Sequence, residues 1–313
     1  MNFKLLVTSR SFGTVGDEAT NLLKEANIQV DYATAAQFES MIENYDALII
    51  GAHPFTPELM EKCHNLKIIC KHGAELDNIP LEKAKELGIT VTNVPGVNSH
   101  RVADLAFGLL LAAARQISYT DRLVHSGKWQ TATGTDVYGK TLGILGLGAI
   151  GKNVALRAKG FGMTVLACDP FVHDLSNDLS HVTLCDLDFV LQNSDFLSLH
   201  LPLNSQTYRI LTDEKLRKMK WGSYLINTAK GELIDENALF DLLKEKHIAG
   251  AALDVCTTEP IEPLNPLLTL ENVVITPHIG VYSKEAISEV SLVCAKNVLS
   301  KLKEEIQSSF VTL

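Results

Sequence analysis

The chain has 313 residues, of which 46% are hydrophobic and 21% are charged, and its formal net charge at pH 7 is −9. This length exceeds what one hydrophobic core usually supports, so two domains are expected. The acidic balance, without a basic run, argues against a protein that binds nucleic acid, because affinity for phosphates rests on clustered Lys and Arg.

The six cysteines show no C-x-x-C spacing and lie mainly in apolar segments, which is typical of buried free thiols in a reducing compartment. The N-terminus, MNFKLLVTSRSFG, predicts a first strand rather than a signal peptide. The most apolar segment, 102–114, carries Asp104 and is too short to span a bilayer. We therefore expect a cytoplasmic protein with no membrane or nucleic-acid partner.

The first hundred residues alternate between strand and helix patterns. Apolar runs predict strands at 4–8, 46–50, 66–70 and 89–92, and helical patterns lie around 18–26, 57–63 and 80–87. This alternation predicts a parallel sheet covered by helices. A long buried helix is expected at 99–114, where the chain enters a central domain.

The central stretch 139–170 reads GKTLGILGLGAIGKNVALRAKGFGMTVLACDP. After a short apolar strand, Gly146, Gly148 and Gly151 form a G-x-G-x-x-G pattern that opens a helix. Gly146 allows a tight turn, Gly148 lets a pyrophosphate approach the backbone, and Gly151 lets helix and strand pack closely. Asp169 follows 18 positions after Gly151, where a carboxylate binds the ribose hydroxyls of NAD. The stretch therefore predicts a site for NAD, and the charge of Asp169 favours NAD over NADP.

The rest of the chain continues the alternation from residue 140. Strands are predicted at 141–145, 163–168, 196–201, 223–228, 250–255 and 273–276, with helices near 150–161, 186–193, 212–220 and 235–247. Asp213 and Asp235 are placed in the first turns of two of these helices. A final amphipathic helix, 284–305, is expected to pack on the first domain. The fold class is thus α/β, with one doubly wound parallel-sheet domain inserted into another and a cleft between them.

Three side chains that follow predicted strands suit an enzyme that oxidises an alcohol with a nicotinamide cofactor. Such an enzyme needs a base, a group that sets the state of that base, and a cation for an anionic substrate. His278, Glu259 and Lys230 supply these types at strand ends, where doubly wound sheets place ligand sites. Each also has a structural alternative: a capped strand end, a turn carboxylate and a solvated charge.

Over nearly its whole length the chain resembles the D-2-hydroxyacid dehydrogenase family, of the phosphoglycerate dehydrogenase type. The motifs are HGAELDNIPLEKAKELGITVTNVPG (72–96), GILGLGAIG, SLHLPLNSQT (198–207), NTAKGELID (227–235), LDVCTTEP (253–260) and TPHIG (276–280). The resemblance implies a Rossmann NAD-binding domain at 99–281, inserted into a flavodoxin-like substrate (catalytic) domain formed by 1–98 plus 282–313. It also implies a homodimer through the NAD domain, and a short form without the C-terminal regulatory domain of longer relatives.

The resemblance also implies roles for individual residues. His278 is the acid/base, and Glu259 is the partner that raises its pKa. The loop Gly73, Ala74 and Glu75 binds the substrate carboxylate. Besides the three glycines and Asp169, the implied cofactor contacts are Ala149, Ile150, His200, Leu201, Pro202, Thr207, Thr228, Ala229, Asp254 and Gly280. No metal site is expected.

Two substrate-facing positions depart from the family. Lys230 stands where the family carries an arginine, so the charge remains but the two-pronged fork is lost. Glu75 stands where glycine is usual, and it either turns to solvent, which we favour, or pairs with Lys230, or faces a cationic or hydrogen-bond-donating substrate group. Lys71 and Arg101 either meet a substrate phosphate or are solvated charges, and we favour the second.

The interpretation is an NAD-dependent dehydrogenase of a small D-2-hydroxy acid, for which 3-phosphoglycerate is one candidate. The competing hypothesis is an NAD(H)-binding corepressor-like or sensor protein with little turnover, since fold alone does not separate these classes. A further alternative is a dehydrogenase whose natural substrate is not recognised through its acid group.

Overall fold

The structure is a computed structural model that describes residues 3–97 and 99–303. These residues form two compact units, one made of 3–97 with 282–303 and the other of 99–281. The predicted end of the last helix at 305 and the tail 307–313 lie outside the described residues.

The first unit contains a five-stranded parallel sheet. Its strands are β1 (Lys4–Val7), β2 (Gln29–Tyr32), β3 (Ala47–Ile50), β4 (Ile68–Lys71) and β5 (Thr90–Thr92), in the order β2-β1-β3-β4-β5. Every residue of β3 and β4 is buried, as expected for central strands with helices on both faces. The strand order is that of flavodoxin-like doubly wound sheets, in agreement with the predicted fold class.

The helices of the first unit are α1 (Glu18–Glu25), α2 (Ala35–Met41), α3 (Pro57–Met60), α4 (Leu81–Glu86) and, at the far end of the chain, α11 (Lys284–Leu302). The last of these joins one hydrophobic core with α1 and the sheet, through Leu23, Cys70, Val290 and Val298. The final helix therefore belongs to the first unit, although the whole second unit separates it in sequence.

The second unit contains a seven-stranded parallel sheet. Its strands are β6 (Thr141–Leu145), β7 (Thr164–Cys168), β8 (Val182–Leu184), β9 (Phe196–Leu199), β10 (Ser223–Asn227), β11 (Ile248–Leu253) and β12 (Val273–Ile275). The order β12-β11-β10-β9-β6-β7-β8 is the Rossmann order with one more parallel strand. The order reverses between β6 and β9, so the carboxyl ends of these two strands flank the position where such sheets bind dinucleotides.

The helices of the second unit are α5 (Ser99–Ala114), α6 (Ile117–His125), α7 (Ala149–Gly160), α8 (Leu187–Asn193), α9 (Asp213–Arg217) and α10 (Glu236–Lys244). One prediction needs a correction here, because Asp235 is the N-cap of α10 and not part of its first turn. Its side chain accepts the amide of Ala238, which satisfies one of the free N–H groups of the helix. Asp213 does lie in the first turn of α9, behind the N-cap Thr212.

Four elements do not appear among the predictions, namely β2, α2, α6 and β8. The strands β2 and β8 lie at sheet edges, and β2 contains no fully buried residue, so neither has the apolar run that marks a central strand. No residue of α6 is buried, so no helical apolar stripe faces a core. The strand predicted at 250–255 is shifted, since β11 begins and ends two residues earlier.

Two neighbouring helices bear on whether the described residues could cross a membrane, namely the helix at 99–114 and the one that follows it. Among the described residues, no single helix is long and apolar enough to cross a bilayer. The bent pair α5 and α6 reaches the required length and apolar composition only when the two are taken together across a 66° bend.

Candidate active site

The glycine-rich loop follows β6 and leads into α7. Gly146 has φ +91°, and a Cβ atom there would lie 2.6 Å from the carbonyl oxygen of His200. A Cβ atom on Gly151 would overlap the carbonyl oxygen of Gly146, whereas one on Gly148 would meet no described atom within 4 Å. Two glycines are thus required by protein packing, and the third leaves open space beside the N-terminus of a 12-residue helix, as a pyrophosphate requires.

Asp169 lies beside this loop, at the carboxyl end of β7. Its Oδ2 accepts the amide of Leu147 at 2.8 Å, and its Oδ1 accepts the amide of Phe171 at 2.9 Å. A carboxylate has about four acceptor positions, so two remain for hydroxyl groups. The carboxylate is therefore oriented by the glycine-rich loop and can still accept ribose hydroxyls.

Two buried polar atoms lie at the carboxyl ends of the neighbouring strands β9 and β10. The Nδ1 atom of His200 and the hydroxyl of Thr228 have no hydrogen-bond partner within the described part of the chain. The other ring nitrogen of His200 lies 2.9 Å from the hydroxyl of Ser198, and burial lowers the pKa of His200 to about 3, so the ring is neutral. Buried polar atoms without partners are costly, and hydrogen-bonding groups of a bound NAD would satisfy them. The residues present thus fit this cofactor.

The other predicted cofactor residues lie on the loops that leave these strands. Ala149 and Ile150 begin α7, Leu201 and Pro202 follow His200, Ala229 follows Thr228, and Gly280 ends the TPHIG loop. The hydroxyl of Thr207 donates to the carbonyl of Pro202 at 2.6 Å and accepts the amide of Asn204 at 2.9 Å. Thr207 therefore stabilises the conformation of its own loop. The sequence-based prediction assigned it only a cofactor contact.

His278 and Glu259, which are 19 positions apart, form a hydrogen-bonded pair. The Nδ1 atom of His278 lies 2.8 Å from Oε2 of Glu259, whose other oxygen accepts the amide of Cys256 at 3.2 Å. This hydrogen bond raises the pKa of His278 against the opposing effect of burial. Burial is the largest single influence on Glu259 and raises its pKa, but the bond to His278, the charges of His278 and Lys230 and the amide of Cys256 together outweigh it, so the net pKa is lowered. The pair therefore favours an imidazolium beside a carboxylate.

Asp254 holds the loop that carries His278. Its buried carboxylate accepts the amides of Ile279 and Gly280, each at 2.8 Å, and the hydroxyl of Thr276. Its carbonyl accepts the amide of His278 at 2.9 Å. His278 has φ +53°, a left-handed conformation that is uncommon for residues other than glycine. Asp254, predicted as a cofactor contact, thus supports the loop that carries His278.

Lys230 lies in the same unit and acts electrostatically on this pair. Its charge lowers the pKa of both Glu259 and His278, although it is not the largest influence on either. Its carbonyl accepts the side-chain amide of Asn227 at 2.7 Å, and Asn227 also accepts the amide of Ala229 at 3.0 Å. The buried Asn227, which sequence reasoning did not single out, therefore shapes the turn that presents Lys230. The asparagine at the end of a predicted strand in NTAKG was the available signal.

The predicted substrate loop 73–75 lies in the first unit, after the carboxyl end of β4. The carbonyl of Gly73 accepts the amide of Val94 at 2.8 Å, and the carbonyl of Ala74 accepts the side-chain amide of Asn93. Ala74 and Glu75 are exposed. The segment after β5 therefore holds the loop by its carbonyl groups.

Lys71, just before this loop, is not the solvated charge that we favoured. It is buried, and its Nζ donates to the carbonyl of Gly51 at 3.0 Å and to the side-chain oxygen of Asn78. Asn78 donates in turn to the carbonyls of Gly51 and His53. The ammonium is thus used inside the first unit to join three chain segments. Among the described residues, no cluster of His, Cys, Asp or Glu could hold a metal ion.

Comparison with known proteins is decisive for the family. The model of the D-isomer specific 2-hydroxyacid dehydrogenase NAD binding domain matches residues 107–280, more than half of the chain. The chain belongs to the D-isomer-specific 2-hydroxyacid dehydrogenase family. As a family member it is an oxidoreductase that binds NAD, which confirms the predicted enzyme class and cofactor.

The relatives of this dehydrogenase have different substrates in their names. It is 43% identical to a glyoxylate reductase of Korarchaeum cryptofilum, over 86% of this chain and 83% of the relative. It is 40% identical to a hydroxypyruvate reductase of Thermotoga maritima, over 91% and 95% of the two chains. A D-3-phosphoglycerate dehydrogenase of Archaeoglobus fulgidus is 37% identical over 92% of this chain but only 56% of its own length.

Solved structures agree with the fold of this dehydrogenase. The TT0316 protein from Thermus thermophilus superposes with a TM-score of 0.91 at 34% identity and covers 99% of this chain and 100% of its own. The predicted fold class, with two doubly wound parallel-sheet units, is thereby confirmed.

Proposed function

We propose that this dehydrogenase interconverts a small 2-hydroxy acid, the D isomer where C2 is a stereocentre, and its 2-oxo acid with His278 as the acid/base, and that glyoxylate or hydroxypyruvate is its 2-oxo substrate. The observation that carries the proposal is the 2.8 Å contact between His278 and Glu259. Because this contact raises the pKa of His278, a proton is available near neutral pH for the oxygen of a keto acid.

The chain's own side chains divide the work around the substrate. His278 donates a proton to the carbonyl oxygen in reduction and takes it back in oxidation, while Glu259 fixes the orientation of the imidazole. Lys230 binds the carboxylate and polarises the carbonyl, and the family resemblance further implies backbone N–H groups of the loop 73–75 as donors to the carboxylate. Bound NAD supplies the hydride acceptor or donor.

The cofactor is proposed to be held by the residues of the second unit that the resemblance named. Gly148 and the first turn of α7 face the pyrophosphate, Asp169 accepts the ribose hydroxyls, and Thr228 and His200 offer buried polar atoms to the rest of NAD. The charge of Asp169 repels a 2′-phosphate, so NADH is expected to support turnover better than NADPH. A measured preference for NADPH would overturn this assignment.

We favour a small substrate without phosphate, partly because one of the two candidate cations for a phosphate is already used inside the first unit. Of the two cations considered for a substrate phosphate, Lys71 is buried and already donates to Gly51 and Asn78. The names of the glyoxylate and hydroxypyruvate reductases, which match at 40% identity or more, point the same way. The sequence-based candidate 3-phosphoglycerate therefore becomes the alternative.

A substrate panel tests the proposal directly. Purified enzyme is assayed by NADH absorbance with glyoxylate, hydroxypyruvate, pyruvate and 3-phosphohydroxypyruvate, and NADH affinity is measured separately by fluorescence. We expect the highest kcat/KM on glyoxylate or hydroxypyruvate. A preference for the phosphorylated acid would support the alternative substrate, whereas tight NADH binding without turnover of any acid would favour the sensor hypothesis.

The departures at Lys230 and Glu75 are proposed to set the rate and selectivity of the enzyme. An arginine at position 230 would restore a two-pronged contact with the carboxylate, and one charge-assisted hydrogen bond contributes about 1.5–3 kcal/mol, or about one to two decades. We therefore expect Lys230→Arg to raise kcat/KM on simple 2-keto acids, and Glu75→Gly to change selectivity within the panel. Unchanged turnover and selectivity in both variants would disprove this role.

The enzyme is further proposed to be a cytoplasmic homodimer that associates through its NAD-binding unit. The helix α6 has no buried residue and exposes Ile117 and Val124, and Trp129 just beyond it is 92% exposed. Large exposed apolar side chains close together on one segment are typical of a protein–protein interface. Sedimentation should show a dimer, and Val124→Glu together with Trp129→Glu should convert it to a monomer.

A further inference from the structure

We propose that Glu236, at the start of α10, is a positioning residue for the acid/base pair. It acts through the peptide that joins Cys256 to Thr257, by fixing the turn that carries Glu259. The inference rests on the proposed role of His278 as the acid/base, and nothing in the motifs assigned a role to Glu236.

The carboxylate of Glu236 joins distant parts of the second unit. Oε1 of Glu236 accepts the amide of Thr257 at 2.6 Å, and Oε2 lies 3.4 Å from the side-chain nitrogen of Asn265. A carboxylate that accepts a backbone N–H forms a charge-assisted hydrogen bond, which is stronger than a neutral one. One side chain therefore ties two points of the loop 254–265 to the first turn of α10.

The same peptide is held from another direction by Gly231. A Cβ atom at Gly231 would overlap the backbone of Cys256 and Thr257, so the absence of a side chain lets the Lys230 turn pack directly on this peptide. The peptide is thus fixed by Gly231 through close packing and by Glu236 through a hydrogen bond. Glu259 follows shortly after this peptide in the chain. Both contacts therefore determine where Glu259 lies relative to the turn that carries Lys230.

Glu259 in turn depends on the same short turn for its own orientation. Its Oε1 accepts the amide of Cys256 at 3.2 Å, and its Oε2 binds Nδ1 of His278 at 2.8 Å. Asp254 lies at the other end of this turn, and its carboxylate accepts backbone amides of the loop that carries His278. The charged groups that act on His278 are therefore Glu259, Asp254 and Lys230, and Glu236 controls the placement of the first of them.

The test compares variants at Glu236 with a matched control. Glu236→Gln keeps an oxygen that accepts the Thr257 amide, whereas Glu236→Asp keeps the charge but withdraws the carboxylate by one methylene. Glu236→Ala removes the contact. Glu214→Ala serves as the control, because Glu214 also lies in the first turn of a helix of this unit, and its carboxylate pairs with Lys218 of the same helix end.

For each variant, kcat, KM, the pH profile and NADH affinity are measured. We expect Glu236→Ala and Glu236→Asp to lower kcat about tenfold or more, which corresponds to one charge-assisted hydrogen bond. They should also move the alkaline limb of the kcat/KM profile to lower pH, because His278 loses part of its contact with Glu259. NADH affinity should stay within about twofold, and Glu236→Gln should retain most of the wild-type profile.

A merely structural role would lower thermal stability without moving the pH profile. An unchanged alkaline limb in folded Glu236→Asp or Glu236→Ala enzyme would therefore overturn the proposal, and so would an equal effect of Glu214→Ala. If Glu236→Ala does not fold, the comparison of Glu236→Asp with Glu236→Gln still decides it. Failure of the acid/base assignment itself is distinguished by His278→Gln, which would then retain activity.

Discussion

The glycine-rich loop and the loop that carries His278, both in the second unit, are stabilised in opposite ways. At Gly146 and Gly151 the structure requires the absence of side chains, because a Cβ atom would collide with the backbone of a neighbouring segment. At His278 the loop is held by side chains that are present, since Asp254 binds its amides and Glu259 binds its imidazole. The first region depends on close backbone packing, within the loop at Gly151 and against His200 at Gly146, and the second depends on hydrogen-bond partners 19 to 26 positions away.

Because of this difference, substitutions should disrupt the two loops in different ways. At its two packed glycines, a loop defined by steric exclusion tolerates no added atom. A loop defined by hydrogen bonds keeps its conformation only while every hydrogen-bond partner is present. Removing one partner can change that conformation without any steric clash. Substitutions in the two regions should therefore separate folding and cofactor affinity from proton transfer.

The largest effect is expected at His278. The variant His278→Gln cannot transfer a proton at neutral pH, and general acid–base catalysis typically contributes about a hundredfold to ten-thousandfold. We expect kcat on the best keto acid to fall by that factor, while NADH affinity measured by fluorescence stays near that of the wild type. Retention of more than a tenth of the wild-type kcat would contradict the assignment.

The next effect separates two glycines of the same loop. Gly151→Ala places a methyl group against the carbonyl of Gly146, and overpacking of this kind typically costs about 1–3 kcal/mol of unfolding free energy. Gly148→Ala is the matched control, because a Cβ atom there meets no described atom within 4 Å. We expect denaturant unfolding to show a loss of stability only in Gly151→Ala.

The same pair of variants also tests the pyrophosphate site. Gly148→Ala should weaken NADH binding although the protein remains fully stable, since its methyl group enters the space beside the start of α7. Equal stability losses in both variants would show that the loop is not organised as described.

The smallest effect is a shift in pH dependence. In the proposed mechanism reduction requires protonated His278, so activity should be lost as the pH rises through the pKa of this residue. Glu259 raises that pKa, and Glu259→Gln should therefore move the alkaline limb of kcat/KM to lower pH. Well above the pKa, each unit of downward shift lowers the protonated fraction about tenfold. A limb that does not move, or moves to higher pH, would contradict the role of Glu259.

The fold was predicted well wherever a strand is buried on both faces. The predicted strand 141–145 matches β6, and the helix predicted at 99–114 matches α5, because both present apolar residues to packed neighbours. The edge strands β2 and β8 were missed, since an edge strand needs no continuous apolar run. Lys71 shows the opposite error. Its residue type predicts a solvated charge, but its position beneath the loop of Gly73 makes it a buried hydrogen-bond donor.

The sequence by itself determined the cofactor and the family, because the spacing of Gly146, Gly148 and Gly151 and the position of Asp169 are local features of one strand–loop–helix–strand unit. Only the tertiary structure decided how the acid/base pair is held. Glu236 is 21 positions from Thr257, and Asp254 is 26 positions from Gly280, so these contacts form only when neighbouring strands bring their loops to one edge of the sheet. Short-range spacing is visible in a chain, whereas hydrogen bonds between loops depend on which strands become neighbours.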